Sequence, residues 1–388
     1  MKITKRVKAG CALVLAGALV FPGMSKLRTE AAQAVDVDKQ DCSITVSVAI
    51  GSGSSGNEEY LEDFNQMSIP VSIYRVADVD VTGQKFTPVT GSAFESMDFS
   101  KINSETNASQ WLELAQDAKE CLEDSKNEDT TGFVGSKNIE KTGEGNASAV
   151  FTGLTPGMYL VAPEETCNQD YTMKYQFTPY LTTLPNSAYT TAYDEEGNPA
   201  GDQALGDDWI YDTEIGLKPE AEPLYGNLEI TKILLDYNRT LQDTTFVFWV
   251  DQYDEKGVLQ EDESDVYSIT FKDNEIHSDA DLSQTIRIEG IRAGWSVRVE
   301  ETYDGASYTN VGPKVSEEKR IYSQEAVEAG YVDQAGNTAE VAKVSFSNKY
   351  DGGNRGGYGV MNEFTNENVD GWTWEQVTMP DVSKENAG

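Results

Sequence analysis

The sequence predicts an all-β chain built as tandem β-sandwiches, the first carrying a short helical insertion. Strand-like runs dominate it. "ITVSVAI", "IPVSIYRVA", "MYLVA", "TFVFWV", "YSITF", "TIRIEGI", "SVRVEE" and "KVSFSN" are short, β-branched or aromatic, and bounded by Gly, Pro, Asn or Asp. One stretch, "SQWLELAQDAKECLED", has helical spacing, with Trp111, Leu112, Ala115, Ala118 and Leu122 on one face and Cys121 near that stripe as a core residue. "LKPEAEPLYG", residues 217–226, sets two prolines and a glycine around a strand restart, which marks a boundary between two sandwiches.

The 388 residues are enough for two or three domains, each with its own core. The chain opens like a secretory signal: Lys2, Lys5, Arg6 and Lys8, then the apolar "AGCALVLAGALVF", then small residues ending at Ala34. That apolar run is too short for a membrane span, so none is expected after signal removal. The expected order is a signal peptide at 1–34, a first domain at 36–216, a second at 226–350, and a tail at 351–388. The tail starts as a glycine-rich linker, "DGGNRGGYGVMNEF", and recovers aromatic content in Phe364, Trp372 and Trp374.

Losing residues 1–34 removes six basic residues and one acidic, which moves the formal net charge from −36 to −41. Such a surface repels nucleic acid and anionic lipid, and both are excluded as partners. His277 is the chain's one histidine, and Cys42, Cys121 and Cys167 show no metal-type spacing. Ser-His-Asp, Cys-His and histidine–zinc chemistry are therefore unexpected, as are any metal or cofactor and any conventional enzyme activity. Acid-rich stretches such as "ADVDVTG" lack the EF-hand loop spacing and read as solvated surface.

One strand carries an odd letter. In "LEITK" alternation puts Leu228, Ile230 and Lys232 on one face, and the first two make that face the core. "SVRVEE" likewise aligns Val297, Val299 and Glu301, leaving Glu300 outward, and "VSFSN" aligns Val344, Phe346 and Asn348. Burial lowers a lysine pKa and raises that of a glutamic acid, by up to ~3–5 units for fully buried groups. A neutral amine is then a nucleophile, and a protonated carboxyl polarises an amide carbonyl. Attack on the Asn348 amide would expel ammonia and tie the first strand to the last. The alternative is Lys232 at a strand end, its amine in water and paired with Glu301 on the surface.

"GNLEITK", "GIRAGWSVRVEET" and "VSFSNKY" resemble the first strand, glutamate box and last strand of the collagen-adhesin (Cna) B-type domains of Gram-positive surface proteins and pilins. The resemblance covers about residues 226–350. It implies an immunoglobulin-like sandwich in which Lys232 and Asn348 form an isopeptide bond with Glu301 as the catalytic acid. "IPVSIYRVADVD", "FTGLTPGMYLV", "YQFTPYLTTLP" and "WIYD" are similar, in order, to segments of the N-terminal region of sortase-assembled pilus subunits.

In that family a lysine after the Trp-x-Tyr-Asp stretch accepts the next subunit. Lys218 takes the matching place after Trp209, Tyr211 and Asp212, although the usual Tyr-Pro-Lys-Asn is replaced by "GLKPE"; an ordinary exposed linker lysine is the alternative. The first domain departs from the isopeptide pattern, with Val48 at the lysine position and Pro163 at the glutamate position, Glu164 and Glu165 being displaced. No Lys–Asn bond is expected there. An exported chain tolerates a disulfide brace instead, drawn from Cys42, Cys121 and Cys167; Cys42 with Cys167 is the preferred pair. The chain ends "GWTWEQVTMPDVSKENAG", without an LPxTG-like signal. The resemblance thus implies a secreted or cell-surface structural subunit of a pilus or pilus-like fibre. Its partners would be other pilin subunits and a sortase. An adhesin that binds a host protein or glycan without polymerising is the alternative.

Overall fold

The computed structural model describes residues 2–3, 34–48, 60–103, 106–124, 131–188, 191–193, 199–204, 208–237, 243–278, 282–352, 360–367 and 371–378. The expected signal peptide, apart from Lys2, Ile3 and Ala34, lies outside the described residues, as do parts of the tail. Two compact units meet at the Leu224–Tyr225 step, Lys2 and Ile3 being grouped with the second.

The first unit contains β1 (Cys42–Ser47), α1 (Leu61–Gln66), β2 (Ile69–Val79), α2 (Ala108–Asp124), β3 (Phe133–Ile139), β4 (Ser148–Leu154), β5 (Gly157–Pro163), β6 (Met173–Phe177), β7 (Tyr180–Leu184), β8 (Asp212–Gly216) and β9 (Pro219–Pro223). One sheet runs β7–β5–β2, and the far edge of β2 is shared by β3 and the short strand Phe86–Pro88. Two three-stranded sheets accompany it: β8–β1–β4, with β8 parallel to β1, and β9–β6 with Thr166–Cys167. One face of β2 and β5 joins Ile44, Val46, Phe151 and Tyr175 in a core, while the other face packs Val76, Met158 and Leu160 against Ala115 and Ala118 of α2. Covering both faces explains why "MYLVA" is an unbroken apolar run rather than an alternating one. The stripe of α2 includes Leu114 in place of the expected Leu112, at i+3 from Trp111, i+4 from Gln110 and one turn before Ala118. Asn107 and Gln110 close the helix start as a reciprocal capping box, each side chain accepting the other's backbone N–H.

The second unit contains β10 (Tyr225–Leu234), β11 (Thr244–Tyr253), β12 (Asp265–Phe271), β13 (Ser283–Arg292), β14 (Ser296–Tyr303), β15 (Tyr308–Asn310), α3 (Gln324–Ala329) and β16 (Ala342–Tyr350). It is a two-sheet sandwich. One sheet runs β13–β10–β16–β15, with Lys2–Ile3 parallel to β13; the other runs β12–β11–β14 and ends on Lys319–Arg320. Leu228, Ile230, Phe246, Phe248, Val299, Val344 and Phe346 fill the space between them. β10 enters this core over Gly226, where a Cβ would stand 2.0 Å from the Tyr322 carbonyl oxygen, so the strand approaches its neighbour more closely than any side chain permits. In the tail, β17 (Val360–Glu367) and β18 (Gly371–Thr378) pair antiparallel.

Candidate functional site

Strict alternation along β10 buries Gly226, Leu228, Ile230, Lys232 and Leu234 and turns the residues between them toward solvent. Lys232 is therefore a core residue, with 0% of its surface exposed. β16 runs parallel beside it, with Lys232 opposite Phe346 and Leu234 opposite Asn348, so Asn348 sits two residues along on the same inward face. From the facing sheet β14 sends in Val297, Val299 and Glu301, and leaves Glu300 exposed.

The three polar side chains meet. Lys232 Nζ donates to Glu301 Oε1 at 2.6 Å, and Asn348 Nδ2 donates to the same oxygen at 2.9 Å. Asn348 Nδ2 also donates to the Asp304 carbonyl at 3.0 Å, so both of its amide hydrogens have acceptors. Reversing that amide would press Oδ1 against two acceptor oxygens, which fixes its orientation. Asn348 Oδ1 is buried without a hydrogen-bond partner. The Phe246 ring lies 4.6 Å from the Lys232 amine and helps close it from water. Burial pushes the lysine pKa down, and the hydrogen bond and charge of Glu301, then the charge of Asp304, oppose that shift. A nucleophile, an acid–base group and an electrophilic amide thus share one dry site, with a single carboxylate oxygen touching both reacting nitrogens.

A fourth residue was not foreseen. Asn310 Nδ2 donates to Glu301 Oε2 at 2.5 Å, from a cross-strand position directly opposite Asn348. Its strand, "YTN", is three residues long, too short for alternation to be read with confidence from sequence, although Tyr308 is buried on the same face.

Lys218 lies elsewhere, between β8 and β9. It is half-buried, its backbone carbonyl accepts from Thr178 N at 3.0 Å, and its amine has no ion pair among the described residues. Burial pushes its pKa down. Upstream, Tyr211 packs beneath the Lys39 amine and its hydroxyl accepts from Asp36 N at 2.9 Å.

In the first unit Val48 is a core residue, Pro163 is buried, and Glu164 and Glu165 are exposed, Glu165 pairing with Lys174. A polar cluster there centres on the half-buried Asp63, which accepts from Tyr175 Oη at 2.6 Å and from the buried Asn168 Nδ2 at 3.2 Å. The expected Cys42–Cys167 disulfide is a correction: Cys42, Cys121 and Cys167 form none. Cys42 is fully buried on β1 opposite Leu154, whereas Cys167 lies half-buried in another sheet opposite Lys174. Burial pushes the Cys42 thiol pKa up, which keeps it protonated and inert. Among the described residues, no helix is long and apolar enough to cross a membrane, and no three His, Cys, Asp or Glu side chains gather as a metal site.

No protein-family model matches the chain, and no curated protein matches it in sequence. Solved structures do match it. The Bacillus anthracis TIE protein is 11% identical over 88% of this chain and 44% of its own, with a TM-score of 0.28. The minor pilin GBS52 of Streptococcus agalactiae is 11% identical over 80% of this chain and 96% of its own, TM-score 0.20. The shaft pilin SpaA of Lactobacillus rhamnosus GG is 8% identical over 80% and 98%, TM-score 0.24. The likeness to Gram-positive pilins is one of fold alone. The chain spans less than half the length of the first of these proteins, and the chemistry below rests on the buried cluster instead.

Proposed function

We propose that Lys232 and Asn348 are joined by an intramolecular isopeptide bond that Glu301 promotes, and that the chain is an exported structural subunit of a surface pilus or pilus-like fibre. One observation carries the reading: an amine, a carboxyl and a primary amide, all within 1% of complete burial, converge from the first, penultimate and last long strands of the second sandwich. A permanent buried ion pair is a poor stabilising device, because each ion costs several kcal/mol to desolvate. Condensation removes the charge.

The chemistry follows from the contacts. Glu301 Oε1 takes one proton from the Lys232 ammonium, and the freed lone pair of the neutral amine attacks Cγ of Asn348. The new Nζ–Cγ bond forms; Oε1 passes its proton to Nδ2, 2.9 Å away, and takes the second proton that Nζ sheds. The Cγ–Nδ2 bond breaks, ammonia leaves, and Glu301 is left as the neutral acid. An amine and a primary amide become a secondary amide and ammonia, without oxidant or cofactor.

The position of the bond supports the fibre reading. It ties the strand by which the chain enters the sandwich to the strand by which it leaves, as a load-bearing subunit requires. Lys218 is the proposed acceptor for a neighbouring subunit's carboxyl, transferred by a sortase at the cell surface; its lowered pKa favours the neutral, nucleophilic amine. Intact-mass measurement of the exported chain and its Lys232→Ala variant tests the bond: the parent is expected to lack one ammonia, and the variant to carry its full sequence mass. A parent at full mass defeats the crosslink. SDS-resistant ladders in wall extracts test the fibre, and a monomer that binds a host component would reject it.

A further inference from the structure

We infer that Asn310 is a positioning residue for the crosslinking step, holding Oε2 of Glu301 so that Oε1 stays between the two reacting nitrogens; this rests on the crosslink reading above. Glu301 has two oxygens and three amide or amine donors around them. Oε1 takes both reacting groups, Lys232 and Asn348, while Oε2 takes Asn310 alone at 2.5 Å. An N–H donated to Oε2 favours negative charge on that oxygen and anchors the carboxyl against rotation, so Oε1 keeps its contact with both the Lys232 amine and the departing nitrogen. Without Asn310 the carboxyl gains a rotation that separates Oε1 from one of its partners.

The same contacts separate the roles of two similar amides. Asn310 and Asn348 stand directly opposite one another on β15 and β16, and each has a buried Oδ1 without a hydrogen-bond partner. Only Asn348 shares an oxygen with Lys232, so Asn348 is the electrophile and Asn310 the clamp. Lys232 from β10 pairs with Glu301, and the charge of Asp304, from the segment after β14, acts on Lys232 while its carboxylate pairs with Lys314 at 2.8 Å. Asn310 contributes a neutral donor where another acid would repel the carboxylate.

The test is the rate of ammonia loss after cell-free synthesis of the full chain, followed by intact mass over a range of pH. Asn310→Ala is expected to crosslink at least about tenfold more slowly at every pH, a part of the roughly 10²–10⁴-fold that a whole general acid–base contribution supplies, with circular dichroism like the parent's. Asn310→Asp keeps the shape. Protonated, it donates to Oε2 as the amide does; ionised, it repels Glu301. It is therefore expected to approach the parental rate in mild acid and to fall progressively behind it as pH rises. Restored rate in acid separates positioning from packing, because a packing defect has no such dependence.

Asn348→Ala completes the set and should keep full mass. A parent that never loses ammonia removes the crosslink itself. A parent that crosslinks while Asn310→Ala matches its rate, or Asn310→Asp follows its pH profile, overturns only the clamp. Ammonia loss in Asn348→Ala with a Lys232–Asn310 branched peptide also overturns it, by making Asn310 the electrophile.

Discussion

Lys232, with no exposed surface and an acid 2.6 Å from its amine, can be rationalised as an ion pair or as a reaction caught at its start. The two accounts diverge at Glu301. Glu301→Gln keeps shape and hydrogen bonding but cannot accept a proton, so we expect a folded chain at full sequence mass. If it still loses ammonia, Glu301 is not the proton carrier. The unbonded variant should also be less stable by about 5 kcal/mol, the chain entropy of closing a loop of roughly a hundred residues, measured by denaturant titration. A second residue-scale prediction concerns acid. Asp333 accepts from the backbone and side chain of Asn337 and from Tyr322 Oη, and these hold its pKa down at about 2. A depressed carboxylate stabilises the fold above its unfolded pKa of about 3.9, and that contribution is lost as pH falls toward 2. The Ala335 and Asn337 amides, bonded to this carboxylate, should lose exchange protection over that window, and Asp333→Asn should flatten the dependence. Lys232, Glu301 and Asn348 were legible because each follows two apolar residues at period 2, and that period survives in the fold. Asn310 was not, because it lies on a strand too short to show a period and acts through a contact across strands.

Among elements, the pair β10 and β16 decides the most. Parallel neighbours that begin and end a domain need a long crossover, here the whole of β11 to α3, and sequence gives no direct sign of which strands finally pair. What sequence did offer was the odd lysine and asparagine, which make sense only if those strands meet. The close approach at Gly226 belongs to the same edge. Gly226→Ala would drive a methyl into the Tyr322 carbonyl and should cost about 3 kcal/mol, since a backbone atom cannot step aside as a side-chain tip does. Its chemical denaturation midpoint, with intact mass taken in parallel, separates a strained strand from a lost crosslink. Unchanged stability would mean that the segment around Tyr322 yields easily. Elsewhere, helix α2 was plain from its spacing, but the choice of Leu112 over Leu114 was not. Both lie near the edge of a helical face, and the spacing alone does not decide which of them packs. The cysteines failed as a disulfide signal for a related reason: nearness to the places of bonded residues in another sandwich does not bring two strands of different sheets together.

At the scale of the molecule, the bond would divide the second sandwich into a loaded part and a sheltered part. Tension entering at Tyr225 reaches Lys232, crosses to Asn348 and leaves along the end of β16, so residues 233–347 carry none of it. Under single-molecule pulling the parent should show no release from this unit, whereas Lys232→Ala should yield roughly 400 Å, the contour of the freed residues. Release from the parent at comparable force would contradict a covalent strap. In the proposed fibre, the net charge of −41 expected for the exported chain would leave like-charged subunits little to gain from unassisted association, so a covalent joint between them would be useful. Lys218 suits that joint. A lysine on an acidic chain normally finds a carboxylate, yet its amine has no ion pair among the described residues and burial shifts it toward the neutral form. Its place between two strands at the end of the first unit holds it firmly while leaving it partly open. Lys218→Arg preserves the charge and length but removes the acyl-accepting amine, so it should abolish high-mass multimers and leave the ammonia loss of the second sandwich intact. Peptide maps of parental multimers should carry the branch at Lys218, and a branch at any other lysine would move the joint there.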